Sequence, residues 1–301
     1  MEVRTGTAKS GDIEIYYEDI GNPDDPAVLL IMGLGAQLTV WRKRFCEKIV
    51  NLGMRVIRFD NRDVGLSTKF DGRRVRTPLP LRLMRMYLGL PSPGVYTLED
   101  MADDAVTVLD HLGIDRAHVV GGSMGGMIAQ IVAGRYADRT RSLSVMFSSN
   151  NQAFLPPPGV RQLWSIISGP PDNASREAII ENAVRLYRIN GSPAYPTPEE
   201  IIRADAAESY DRCYYPVGIA RQFDAILASG SLKRYNRMTT APTLVIHGTA
   251  DKLMRPTGGK AVAKAIPHAR LVLIEGMGHE LPEQIWDEVL AELKNNFSAA
   301  T

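Results

Sequence analysis

The 301-residue chain holds only two cysteines, Cys46 and Cys213. Two are too few for a disulfide framework or a cysteine-built metal cluster. Charge of one sign is also missing: 35 Lys+Arg against 34 Asp+Glu leave a formal net charge of +1. That balance argues against nucleic acid as a partner, because a phosphate backbone selects a basic surplus. No apolar run approaches the roughly 18 residues of a membrane span; the longest, Val28-Leu29-Leu30-Ile31-Met32, stops at Gly33. The opening residues, Met1-Glu2-Val3-Arg4-Thr5-Gly6, lack the apolar core of a signal peptide. These absences set the expectation of a cytoplasmic protein in a reducing compartment, without stable membrane insertion and without a metal. What is present is 45% hydrophobic and 23% charged residues, enough apolar material for a sizeable core.

Strand and helix signals alternate from residue 27 onward. Ala27-Val28-Leu29-Leu30-Ile31 is wholly apolar, as a strand covered on both faces must be. A helix is predicted over 41–52, with Phe45, Ile49 and Leu52 on one face and Gly53 ending it. A strand follows over 55–59. Thr97-Leu98-Glu99-Asp100 reads as an N-cap and acidic first turn, opening a helix striped by Val106, Leu109 and Leu112. A strand over 117–120, a helix over 124–136 and a strand over 142–147 continue the rhythm. Such alternation implies parallel crossovers, hence an α/β fold with a mostly parallel, doubly wound sheet flanked by helices.

The rhythm breaks after Ser149. Roughly 90 residues pass without a strand signal, far beyond an ordinary connection. They open on Pro156-Pro157-Pro158-Gly159 and predict helices over 175–189 and 218–228. A third helix is expected from Thr197-Pro198-Glu199-Glu200, read as a capping box with proline at the first helical position. The pattern resumes with a strand over 243–247, a helix over 257–265, a strand over 270–274 and a helix over 282–296. The expected organisation is a core domain of 1–149 and 241–301 with a helical cap inserted at 150–240. Its aromatics include Phe154, Trp164, Tyr187, Tyr214 and Phe223, expected in the cap interior or along a pocket wall. The stretch from Arg73-Arg74-Val75-Arg76 to Leu88 is locally basic and amphipathic. It reads as a mobile flap with solvated arginines, with attraction of anionic substrates or a membrane surface as the second reading.

Gly121-Gly122-Ser123-Met124-Gly125 contains Gly-x-Ser-x-Gly between an apolar strand and a helix. This is the setting of a nucleophile elbow, in which a strained turn exposes the serine hydroxyl and flanking glycines let strand and helix approach. A serine hydroxyl needs an adjacent base held by a third group. Of five histidines, His111 falls in a helix, His118 in a strand and His268 in a turn. His247 ends a strand, where packing is the expected role. His279 lies in the glycine-rich loop Glu275-Gly276-Met277-Gly278-His279 after the last strand, where a base reaches the sheet's C-terminal edge. Asp251 follows the penultimate strand. The order Ser123, Asp251, His279 is that of a hydrolase triad, with all three at the edge where open α/β sheets bind ligands. The expected oxyanion donors are the backbone N–H groups of Met124 and Leu34, with Gly33 as the fallback for the latter.

Sheet pattern, elbow, triad order and helical insertion resemble the α/β-hydrolase superfamily over nearly the whole chain. More narrowly, Ile31-Met32-Gly33, the run from Arg58 to Ser67 and Gly122-Ser123-Met124-Gly125 resemble bacterial serine esterases of the aclacinomycin methylesterase type. The resemblance implies a carboxylic-ester hydrolase with a helical cap, no cofactor and a small-molecule ester as substrate. A monomer and a homodimer both remain open. Many relatives carry His-Gly where this chain has Met32-Gly33, which leaves the backbone donor but removes one side-chain support for the loop. Asp60 and Arg62 are expected to brace the strand edge.

Three other readings compete. Gly33-Leu34-Gly35-Ala36-Gln37-Leu38 followed by Asp60 partly matches a dinucleotide-binding turn, but Leu38 stands where the third glycine must allow close packing. A lactonase or a cofactor-free haloperoxidase would use the same triad. A non-catalytic receptor would use the same pocket. Aspartate-nucleophile relatives are disfavoured by the serine at 123.

Overall fold

The chain opens on two strands that alternate polar and apolar residues. β1 (Val3–Ser10) and β2 (Ile13–Ile20) form an antiparallel hairpin that sets Thr7 opposite Tyr16. Gly11 turns it with φ +61°. The alternation buries Ala8 and Ile15 and leaves the opposite face wet, as an antiparallel edge allows. This is the computed structural model of the chain, and it describes residues 2–167, 169 and 173–300. Residues 168 and 170–172 of the expected insertion lie outside the described residues.

The apolar run forms β3 (Ala27–Ile31), buried at every position. A short 3-10 turn and α1 (Lys43–Val50) replace the single helix expected over 41–52, and Trp41 sits buried between them. β4 (Arg55–Phe59) follows. The expected flap contains a helix, α2 (Leu79–Tyr87), with Pro78 at its N-cap and Pro80 in its first turn, where proline is tolerated because those N–H groups lack intrahelical partners. α3 (Leu98–His111) starts with the capping box in which Thr97 and Asp100 bond reciprocally. Then come β5 (Ala117–Gly122), α4 (Met124–Arg135) and β6 (Thr140–Met146).

Between β6 and the next strand lie α5 (Val160–Ile167), α6 (Arg176–Asn190), α7 (Glu199–Arg212), α8 (Pro216–Ser229) and α9 (Lys233–Met238). The capping box expected at Thr197 is not formed. Pro198 occupies the N-cap, and the Thr197 hydroxyl accepts instead from the Tyr187 hydroxyl at 2.7 Å. α6 packs on α7, whereas α8 and α9 pack on α3 and α4. β7 (Thr243–Gly248), α10 (Pro256–Ala265), β8 (Arg270–Ile274) and α11 (Trp286–Ser298) complete the chain.

The eight strands form one sheet in the order β1-β2-β4-β3-β5-β6-β7-β8, parallel from β4 to β8. Side chains alternate across it. Leu29, Val119 and Val145 join α3, α4 and α10 in one core cluster. Val28, Val120 and Met146 join α1 and α11 in another. The fold is therefore doubly wound, and β5, β7 and β8 end on the same edge. Among the described residues no helix is long and apolar enough to cross a membrane.

Candidate active site

β5 ends at Gly122, and α4 begins at Met124. The single residue between them, Ser123, takes φ +55° and ψ −123°, a region a non-glycine residue enters only when its surroundings hold it there. Two glycines make the turn fit. A Cβ on Gly125 would stand 2.1 Å from the Ile31 carbonyl oxygen, and one on Gly121 would stand 2.2 Å from the Gly125 carbonyl oxygen. Gly125→Ala is expected to cost about 3 kcal/mol by overpacking a buried turn, read as a lowered denaturant midpoint with an unchanged slope.

His279 comes from the loop after β8. Its backbone N–H donates to the Asn190 carbonyl at 2.8 Å, and the Gly278 N–H donates to Ser192 Oγ at 2.9 Å. The loop is thus tied to the C-terminal end of α6 and the residues just after it. Phe147 packs edge-on against the imidazole, with ring centroids 5.2 Å apart. Held this way, His279 Nε2 lies 2.9 Å from Ser123 Oγ and its Nδ1 lies 2.7 Å from Asp251 Oδ2. Asp251 is buried, and its other oxygen accepts from the Leu253 and Met254 N–H groups at 2.9 and 2.8 Å. Burial alone would raise its pKa. The charge of His279 and hydrogen bonds from His247 and His279 overcome that and hold the carboxyl well below its ordinary value. The structure therefore brings all three sequence-predicted side chains into one hydrogen-bonded row.

The backbone N–H groups of Leu34 and Met124 donate to no acceptor among the described residues, and Gly33 packs against Ser123. The loop carrying Leu34 is steadied without a histidine at position 32. Asn61 Nδ2 donates to the Met32 carbonyl at 2.9 Å, and the Gly35 N–H donates to Gln222 Oε1 at 2.8 Å. Asp60 accepts from the Leu38 and Leu66 N–H groups and pairs with Arg212 at 2.7 Å. Arg62 grips Asp104 with two nitrogens at 2.6 and 2.8 Å. Both residues are fully engaged in bracing.

No other histidine contacts Ser123 among the described residues. His118 is buried against Ser142, and burial with Arg141 and Arg116 nearby pushes its pKa down to about 4. His247 does more than pack: its Nε2 contacts the Met254 carbonyl and stands 3.5 Å from Asp251 Oδ2. It props the aspartate loop from beneath. His247→Ala is expected to lower Tm by several degrees while kcat for an ester falls far less than with any change at 123 or 279.

Ser123 and His279 open onto a cavity of about 1430 Å³ walled by Trp41, Met127, Phe147, Leu186 and Phe223 among others. Of the five insertion aromatics named above, Tyr187, Tyr214 and Phe223 line it, whereas Phe154 and Trp164 are mostly exposed. Among the described residues no group of three or more His, Cys, Asp or Glu could hold a metal ion.

The sequence profile of the alpha/beta hydrolase fold matches residues 26–284. The chain belongs to this family. It is similar to the rhodomycin D methylesterases of Streptomyces peucetius and Streptomyces sp. (strain C5), each 28% identical and aligned over 96% of this chain and 97% of theirs. The 3-oxoadipate enol-lactonase 2 of Acinetobacter baylyi is 24% identical, over 89% of this chain and 88% of its own. Among solved structures, a meta-cleavage product hydrolase from Pseudomonas fluorescens superposes with a TM-score of 0.74 at 20% identity, covering 98% of both chains.

One cavity-wall residue of this α/β hydrolase was missed in the sequence. Glu280, beside His279, lines the cavity and accepts from the Ser192 N–H. Burial pushes its carboxyl up to about 7 against the opposing pull of that N–H and of the Arg42 charge, while Arg42 itself pairs with Asp205. A charged residue next to a loop histidine carries no pattern of its own, so only the fold reveals it. Its folded pKa lies above the unfolded one, so stability is lost as pH rises from about 4.5 to 7. Glu280→Gln is therefore expected to flatten the decline of Tm between pH 5 and pH 8 and to melt about 3 °C above wild type at pH 8.

Proposed function

We propose that this α/β hydrolase cleaves carboxylic esters through an acyl-enzyme on Ser123. The observation that carries the reading is the row itself, with Ser123 Oγ and Asp251 Oδ2 on the two ring nitrogens of one imidazole, at 2.9 and 2.7 Å. As Ser123 Oγ attacks the ester carbonyl, its proton passes to His279 Nε2, and the Asp251 carboxylate stabilises the imidazolium that forms. The unpaired N–H groups of Leu34 and Met124 supply the oxyanion donors, each worth about 2.7–4 kcal/mol of transition-state stabilisation. His279 then protonates the leaving alcohol, and water, deprotonated by the same base, releases the acid.

Residues 150–240 serve as a cap over this chemistry in our reading, which the cavity walls at Leu186, Tyr187 and Phe223 support. The volume exceeds the roughly 300–1,000 Å³ common for small-molecule sites. Together with the two methylesterase relatives, it favours a methyl ester of a bulky acid. A second reading, lactone opening, draws on the enol-lactonase relative, since a lactone is an internal ester open to the same attack. The deciding experiment compares kcat/KM for p-nitrophenyl esters of increasing chain length, methyl esters of polycyclic acids, and simple lactones. Highest kcat/KM on the bulky methyl esters supports the reading. Highest kcat/KM on lactones replaces the substrate, and turnover of none of them by folded protein overturns the activity.

A further inference from the structure

Charge is unevenly distributed around the cavity mouth. Residues 72–98 carry five arginines and no Asp or Glu, in a chain whose formal charge is otherwise balanced. Residues 147–171 likewise carry Arg161 and no acid. Arg82 is used internally, paired with Asp224. Arg73, Arg74, Arg76 and Arg85 make no ion pair among the described residues; Arg85 Nε reaches only the Pro91 carbonyl, and Arg73 lies over the Phe70 ring. The helix they flank is apolar on two sides. Leu79, Leu83 and Met86 of α2 face the cavity, while Leu81 and Met84, with Leu88 just past its end, stay exposed, Met84 at 53%. A surface helix ordinarily buries one apolar stripe and turns polar residues outward. Tyr87, half exposed at the cavity rim, packs edge-on against Phe154 at 5.5 Å, and Phe154 is itself 67% exposed.

We propose that this face docks on an anionic lipid bilayer, the arginines meeting headgroup phosphates and Met84, Leu88 and Phe154 entering the interfacial layer. Charge complementarity selects that partner. Basic residues at the rim with apolar and aromatic side chains at the centre are what an anionic interface takes up. A second copy docking face to face would set four unpaired arginines against four more, with no acid in the segment to offset them. The docking lies in the plane of the interface and needs no spanning helix. It stands apart from the ester chemistry, because binding is read without turnover.

The test is flotation of the full chain with vesicles of phosphatidylcholine and phosphatidylglycerol (3:1), beside pure phosphatidylcholine, at low and at 0.5 M salt. Expected are binding to the anionic vesicles, release by salt, and little binding to the neutral ones. Each arginine contributes about fivefold to partitioning, so Arg76→Glu is expected to weaken binding about tenfold or more. Met84→Asp should weaken it comparably while leaving hydrolysis of a soluble p-nitrophenyl ester intact, which shows that it folds. Absence of binding to the anionic vesicles overturns the proposal, as does binding indifferent to both substitutions. So does a concentration-dependent dimer in sedimentation velocity, abolished by Met84→Asp, without vesicle binding; the face would then join two copies of the chain.

Discussion

Ser123→Ala is expected to lower kcat for a p-nitrophenyl ester by about 10⁴- to 10⁶-fold, with Tm unchanged or slightly raised. The rate loss follows from the proposed acyl-enzyme, whose nucleophile is Ser123; what would survive is binding and oxyanion stabilisation, which in comparable serine hydrolases leave a residual acceleration of about 10³–10⁴ over water. The unchanged stability follows from what Ser123 does in the fold. Its side chain touches His279 and the cavity, while the turn is held by the Ser123 N–H on the Met146 carbonyl at 3.0 Å and by Ser148 Oγ donating to the Ser123 carbonyl at 2.6 Å. Those bonds belong to the backbone and survive in alanine. Circular dichroism melting beside stopped-time hydrolysis checks both halves. Hydrolysis near the wild-type rate would move the nucleophile elsewhere.

Asp251→Asn is expected to cost about 10⁴-fold in kcat and, unlike Ser123→Ala, to lower stability as well. The carboxylate serves two sets of donors, with one oxygen on the Leu253 and Met254 N–H groups and the other on His279 Nδ1. An asparagine has one acceptor oxygen for both. It either releases the 251–254 turn or presents an amide N–H to the imidazole, and in neither arrangement does it stabilise an imidazolium. The pH dependence separates this from a simple cavity effect. The folded pKa of Asp251 lies below the unfolded value, so its contribution is fully present above the unfolded pKa, about 4, and is lost as pH falls further toward the folded one. The stability gap between wild type and Asp251→Asn, measured by denaturant titration, should therefore be wide at pH 7 and narrow steadily below pH 4. A gap independent of pH would mean that the carboxylate charge is not what the fold uses.

The inner parallel strands β3 and β7 were legible because burial on both faces leaves a nearly unbroken apolar run, and the edge strand β8 because Leu271-Val272-Leu273-Ile274 is apolar although half exposed. β3 and β8 match their expected limits, and β7 differs only by Gly248. The β1–β2 hairpin leaves no such run, because along most of β2 only alternate residues, Ile15 and Tyr17 among them, are buried. The stretch holding α2 reads as amphipathic but as a flap rather than a helix, because Pro78 and Pro80 punctuate its entry and only two turns follow them. At Thr197 the motif matched but its hydroxyl had a better partner in Tyr187, a long-range contact no local pattern reports. The candidate site was legible where residues sit in strand-end loops, as Ser123, Asp251 and His279 do. Glu280 and the prop under Asp251 from His247 were not, because each depends on segments packed together only by the fold.

Labelling with a fluorophosphonate shows which serine is the nucleophile. One adduct per chain is expected in the folded protein, carried by the peptide containing Ser123, absent in Ser123→Ala and strongly slowed in His279→Ala. An adduct on another serine, or none on protein that melts normally, would contradict the assignment of Ser123.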